Sequence, residues 1–274
     1  MTIVSRVIRK FTGRRALGYL RDKPDPRDMR YSFTVTRPAM PPPASVDLRS
    51  GISKILDQGP LNACVAFAYG YAIDIVETLS GLEYNPTSQL YLYHSARAQH
   101  GDEKTDGGTH LRSAARALQL VGAPLERFWP YDHSKVNKQP PPQAYMEAHP
   151  RREGIYERID GVGELRLLNI KRALAAGHPV VFGTLVTEQF TKNEGSTLIQ
   201  RPKDSTSLIG GHAMCCVGYD VDGFVIVNSW GPQWREGGTA WLSHDYMAWA
   251  GTSDLWIVRG WRAVKDVMII PGVH

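Results

Sequence analysis

Cys64 stands at the head of an apolar run, CVAFAYGYAIDIVETL, six residues after Gln58 in DQGPLNAC. A thiol at a helix N-terminus ionises more readily, because unpaired N–H groups and the macrodipole favour negative charge there. The Gln58 side-chain amide can donate to an oxyanion forming near that sulfur, beside the Cys64 backbone N–H. His212 lies in GGHAMCCVGYD, just ahead of a strand, and Gly210 and Gly211 before it leave room for another chain. Asn228 ends the run GFVIVN, sixteen residues after His212. Two antiparallel strands turning at Asp220–Gly223 bring His212 and Asn228 side by side. The asparagine oxygen then accepts the imidazole N–H and fixes its tautomer, and Trp230 covers that bond. Such a set does nucleophilic chemistry: a thiolate attacks an acyl carbon and leaves a thioester for water to hydrolyse. A lone cysteine reads as a small core residue; the combination carries the weight.

The elements that must position these residues are legible as two halves. Val65, Ala68, Ala72, Ile75, Val76 and Leu79 keep helical spacing from Cys64, and Gly81 ends that helix. Asn85-Pro86 reads as a cap and first-turn proline opening a second helix through NPTSQLYLYHSARAQ. A third follows Gly107-Gly108, with Leu111, Ala114, Ala115, Leu118 and Val121 as its stripe. Residues 136–154 read as a polar, proline-rich crossing. One more helix, LLNIKRALAAG, precedes the short apolar runs PVVFGTLV, HAMCCVGYD, GFVIVNSWG, TAWLSH and DLWIVRGW, which read as an antiparallel, barrel-like sheet. Helices first and strands second give the α+β class, two lobes with a cleft between them.

At 274 residues, 42% hydrophobic and 22% charged, the chain has the composition of a globular domain. No apolar stretch has the length of a membrane span, and Arg6, Arg9 and Lys10 interrupt what would be the core of a signal peptide. The net charge of +5 is uneven: residues 1–43 hold ten Arg or Lys and three Asp, or +7, which leaves about −2 for the rest. No nucleic acid is therefore expected on the folded body. The proline-rich stretch 37–45 sets a boundary between a basic N-terminal segment, 1–43, and the main body, 44–274. KPDPRD within that segment favours an extended, docked course.

Only Cys64, Cys215 and Cys216 occur, so no disulfide framework is expected. That usage fits a reducing compartment, the bacterial cytoplasm, or export without a classical signal peptide. Cys215 and Cys216 beside His212 invite a zinc reading, but neighbouring strand residues point to opposite faces, so both read as core. No metal and no cofactor are expected. Trp241, Trp249, Trp256 and Trp261 read as packing.

From about Ala44 to Trp261 these segments, in this order, resemble the papain family of cysteine peptidases. SVDLRS is similar to the start of the mature enzyme; DQGPLNACVAFA keeps the glutamine-to-cysteine spacing; GGHAMCCVGYD and VNSWGPQWREGGTAW match the histidine and asparagine blocks. DGGTHLRSAARALQLVGA and RFWPYD resemble part of the substrate wall. The resemblance implies a papain-like two-lobe fold with Cys64 as nucleophile, His212 as base, Asn228 as its orienter and Gln58 as oxyanion donor. It implies peptide or protein substrates bound at Gly107, Gly108, Thr109, His110, Gly211 and Trp230, and endopeptidase action, since no occluding insertion is visible. Another thioester acyl-transfer enzyme, or a silent binding protein on the same fold, stays open.

The departures from the family pattern are specific. Leu61 replaces the first cysteine of the usual local motif, and Thr105 stands at its usual partner position, which points to disulfide-poor bacterial members. Val65 replaces the aromatic beside the nucleophile, and Thr109-His110 replaces an apolar wall. An N-terminal segment commonly crosses the cleft in this family. For residues 1–43, a cleft-covering segment and a solvated arm both stay open.

Overall fold

The structure, a computed structural model, describes residues 15–31, 41–152, 154–192, 197–203 and 207–259. A short strand β1 (Tyr19–Leu20) and β2 (Val46–Asp47) precede the helical half: α1 (Cys64–Leu79), α2 (Gln89–Ala98), β3 (Thr109–His110) and α3 (Leu111–Leu120). Then come α4 (Pro142–Ala148), β4 (Ile155–Arg158), α5 (Gly163–Ala175), β5 (Val180–Thr187), α6 (Glu188–Thr191) and β6 (Leu198–Ile199). The last part is β7 (Leu208–Tyr219), β8 (Gly223–Val227), β9 (Thr239–Ser243), α7 (His244–Ala248) and β10 (Thr252–Arg259). The main sheet runs β4-β10-β5-β7-β8-β9-β6, with β2 also on β7. Its pairs are antiparallel except β6 with β9.

The period of two along β7 builds both cores at once. Ala213, Cys215 and Val217 face a cluster shared with α1, α2 and α3; Met214 and Cys216 face a second one with α5 and α7, which Tyr219 joins past the register shift at Cys216–Gly218. The adjacent cysteines thus belong to different cores, both thiols being buried and free. Trp256 is fully buried, while Trp261 lies outside the described residues.

Two expectations need correction. The second helix starts not at Asn85-Pro86 but at Gln89. Asp74 of α1 accepts both the Thr87 N–H (3.1 Å) and its hydroxyl (2.8 Å), which holds Pro86–Thr87 extended. Ser88 then caps the helix, accepting from the Tyr91 N–H at 3.2 Å. β7 also starts before His212, at Leu208, because Leu208, Gly210 and Gly211 already pair with β5; the crossing at 136–154 holds α4, opened by Pro142 in the first-turn position where proline costs no hydrogen bond.

The place of the missing disulfide is taken by polar contacts. Asn62 donates its N–H to the Asp106 carboxylate at 3.1 Å and its side-chain amide to the Asp106 carbonyl at 2.8 Å. Tyr93 donates to the same carboxylate at 2.6 Å and accepts the Gly108 N–H at 3.0 Å. Buried Arg97 donates to the carbonyls of Thr105 and Val136. The loop before Cys64 is thereby tied to the glycine loop before β3. Asp106→Ala orphans the Asn62 N–H and the Tyr93 hydroxyl, so urea denaturation is expected to show a loss of about 2 kcal/mol. A loss under about 0.5 kcal/mol, the size of an ordinary surface change, would mean that this network is not the brace.

Candidate active site

Cys64 opens α1 with Ala63 before it, and no side chain caps that end. The first-turn amides are left to the sulfur and to whatever approaches it. Ahead of Cys64, the Gln58 N–H donates to the Ser229 carbonyl at 2.9 Å, and Ser229 Oγ donates to Gln58 Oε1 at 2.6 Å. The Gln58 amide nitrogen donates to Leu61 O at 2.7 Å and to Ala16 O at 3.4 Å.

His212 sits in β7, and Asn228 follows β8 across the Asp220–Gly223 turn, where the Asp220 N–H donates to Gly223 O at 3.0 Å. His212 Nε2 lies 2.7 Å from Asn228 Oδ1. The same oxygen accepts the Ser229 N–H at 2.8 Å. An atom that takes a backbone N–H is the oxygen of the amide, so Nε2 carries the proton in that bond. Nδ1 is left buried and without a partner. Trp230 stacks on the imidazole, 4.3 Å between centroids and 25° between planes. Tyr71 of α1 reaches the Asn228 carbonyl at 3.3 Å, so the Cys64 helix also holds the asparagine loop.

Gln58, Cys64, His212 and Asn228 are fully buried, and Trp230 nearly so. Burial pushes the Cys64 thiol up to about 11, against backbone hydrogen bonds from Ala213, Gly18, Val65 and Cys64 itself. Burial also pushes the His212 imidazole down to about 4, against the Asn228 hydrogen bond. Both groups are therefore neutral at pH 7.

The cover is the N-terminal segment. From Arg15 the chain runs extended across these residues, with Arg15 over the Trp230 ring at 5.8 Å. Gly18 O accepts the Thr109 N–H at 2.9 Å, and β1 pairs parallel with β3. No side chain fits at Gly18, because a Cβ would collide with the Asn62 carbonyl. Gly108 (φ +85°) and Gly211 are equally hemmed in, by the carbonyls of Gly18 and Tyr19. Gly107 is exposed, with only Thr105 Oγ1 near its missing Cβ at 3.7 Å, so Gly108 and Thr109 carry the pairing of that loop. His110 packs edge-on against His100 at 5.1 Å.

Sequence reasoning missed Tyr19, Asp22, Asp28, Gly183, Arg112, Arg158 and Asp254 as neighbours of this groove. Asp28 bridges Arg112 at 2.7 Å and Arg158 at 3.0 Å. Asp22 accepts the Trp256 indole N–H at 3.1 Å and the Arg112 N–H at 3.3 Å, and its N–H donates to Asp254 Oδ2 at 2.6 Å. The only local signal was Asp22-Asp28 in an otherwise basic stretch.

Residues 42–255 match the family model described as papain family cysteine protease. Over 271 residues the chain is 32% identical to an uncharacterised peptidase C1-like protein of Acanthamoeba polyphaga mimivirus, spanning 89% of this chain and 87% of that protein. It is 28% identical over 206 residues to a cathepsin B-like protein of Giardia intestinalis, 72% of this chain and 67% of that one. Among solved structures, xylellain, a cysteine protease from Xylella fastidiosa, superposes with a TM-score of 0.79 at 28% identity, over 92% of this chain and all of xylellain. Procathepsin L 3 of Tenebrio molitor larval midgut, at 19% identity and a TM-score of 0.67, shares the fold. The mixed α+β architecture expected from the resemblance is the one found.

Burial raises the Asp22 carboxyl to about 7, with the Asp254 charge adding to it and Arg112 opposing it; His110 Nδ1 lies 3.7 Å away. An acid whose docked value exceeds its free value of about 3.9 favours docking at low pH. Docking therefore weakens as pH rises from about 4 to about 7, by up to ten-fold in equilibrium constant per pH unit. Thermal unfolding of the wild-type chain against Asp22→Asn should show the variant gaining relative stability across that window. Parallel curves would remove Asp22 as the sensitive group.

Proposed function

We propose, for a chain that belongs to the papain family of cysteine proteases, that it cuts internal peptide bonds through a thioester on Cys64 and is held latent by residues 15–31. One observation carries the catalytic part: His212 is fixed by Asn228 Oδ1 with its other nitrogen unpartnered, while the backbone of the next residue, Ala213, lies close enough to Cys64 to lower the proton affinity of its thiol. His212 takes the thiol proton, and the thiolate attacks the carbonyl carbon of the substrate. The carbonyl oxygen, now negative, is met by the Cys64 N–H and the Gln58 amide. Collapse breaks the C–N bond, and His212 gives its proton to the leaving amine. Water, deprotonated by His212, then adds to the thioester; the acid leaves and the thiol is restored.

The course of the N-terminal segment supports endopeptidase over exopeptidase action. It enters beside Trp230 and Gln58, crosses Cys64 and continues past Thr109 to Asp28. A groove that holds a chain running through it accepts an internal stretch of substrate. The segment also escapes its own site. Gly18 O is committed to Thr109, and the carbonyl facing Gln58 is that of Ala16, at a long 3.4 Å.

Gly18→Val in the full chain tests both parts, since the added side chain meets the Asn62 carbonyl and lifts the segment. An epoxide-type inactivator, read by intact mass and peptide mapping, should label Cys64 at least about ten-fold faster in Gly18→Val than in wild type. Label should vanish in Cys64→Ala and fall sharply in His212→Ala. A quenched peptide blocked at both ends should be cut internally by Gly18→Val. If Cys64 in that variant reacts no faster than an ordinary exposed thiol, the catalytic reading fails.

A further inference from the structure

Tyr19 fills a chamber made by the body of the protein. Its ring lies where a side chain on Gly183 of β5 would be, and a Cβ on Gly211 would come within 2.9 Å of it. At the far end the phenol donates to Asp254 Oδ2 at 2.6 Å and lies 2.7 Å from Ser253 Oγ. Ser253 and Asp254 sit at a register break between β10 and β5, and Asp254 has φ +53°. A non-glycine residue in the left-handed region at a bulge is a backbone kept at a cost. Its result here is a buried carboxylate at the floor of a chamber that opens beside Cys64.

We propose that Asp254, reached through the space left by Gly183, makes this peptidase select tyrosine as the substrate side chain that enters the chamber; this rests on the peptidase reading above. When the segment lifts, Asp254 Oδ2 loses both of its donors, the Tyr19 hydroxyl and the Asp22 N–H. Oδ1 keeps Arg158 at 2.9 Å. The carboxylate is thus already neutralised by a cation, and Arg158 and Arg112 have both lost Asp28. A lysine or arginine side chain would be brought against those two cations. Phenylalanine fills the same space and leaves Oδ2 unmet. A phenol supplies one neutral donor at the depth Tyr19 occupies. Sites built to bond a hydroxyl discriminate against the analogue lacking it far more than apolar pockets discriminate by size.

The test has a catalytic readout and a chemistry-free one, both on the full chain carrying Gly18→Val. In a positional-scanning library of quenched peptides, tyrosine should exceed phenylalanine and arginine at one position by about ten-fold or more in kcat/KM. In the second readout a fluorescent peptide of residues 15–28 is titrated onto the protein, and its Tyr19→Phe and Tyr19→Arg forms should bind at least about ten-fold more weakly. Asp254→Gly, which keeps the backbone conformation, should bring tyrosine and phenylalanine within about two-fold in both. Should that variant not fold, Gly183→Ala, whose methyl would collide with the ring, should lose the tyrosine preference instead. Equal binding of the tyrosine and phenylalanine peptides, or a preference for arginine, overturns the assignment. Discrimination in binding without any hydrolysis leaves the chamber standing and sinks the peptidase reading.

Discussion

The Gly18 peptide rests on the Cys64 thiol with no room for a side chain, because the Asn62 carbonyl occupies the space a Cβ would take. The sealing of the site follows from that contact. A seated segment shuts water away from Cys64 and His212, and desolvation moves their proton affinities in opposite directions, to about 11 and about 4. A thiol and an imidazole so separated do not exchange a proton at neutral pH. On the proposed peptidase reading, the pair would become an ion pair once solvent or a substrate dipole replaces the segment. The latency proposed above would therefore be electrostatic as well as steric.

The seam beneath the segment is closed by neutral hydrogen bonds between loops of different origin. Ser229 holds Gln58 from the sheet side, Tyr131 reaches the Gln58 carbonyl at 2.9 Å, and Tyr71 reaches Asn228. These bonds fix Gln58 and the imidazole relative to α1 without any disulfide. Buried neutral partners of this kind avoid the desolvation of charge that a buried ion pair would carry. Charged contacts gather farther along the segment, where Asp28 meets Arg112 and Arg158, and Arg158 also meets the buried Asp254.

Much of this was readable in the residues, for a physical reason. Cys64 and Asn228 lie at element boundaries, and spacing with glycine punctuation marks boundaries well: α1 begins at Cys64, and the turn at Asp220 sets β7 against β8, whereas His212 lies inside β7. The second helix was misplaced because the contact that decides it, Asp74 with Thr87, is tertiary. Asp254 was invisible for the same reason. Its role depends on a bulge, a positive φ and a tyrosine 235 positions away, none of which leaves a local pattern. Gly183 read as one small residue in the strand PVVFGTLV, and only the ring against it gives the absence of a side chain a purpose.

The groove is lined where it matters by glycine: Gly108, Gly183, Gly210 and Gly211 each face the segment, and a side chain on any of them would meet it. On the proposed reading the same clearance serves a substrate, so segment and substrate would compete for one surface. A tethered competitor acts at an effective concentration on the order of millimolar. Free peptide at micromolar concentration is then excluded unless its own contacts are far stronger, or unless the tether is cut. Between the seat at Gly18 and the anchor at Asp28, Arg21, Lys23 and Arg27 are exposed. A cut in that stretch separates the Asp28 anchor from the Gly18 seat, and the seat alone is held by few bonds. The part of the segment that faces solvent is thus also the part whose loss would convert an intramolecular competitor into a weak intermolecular one.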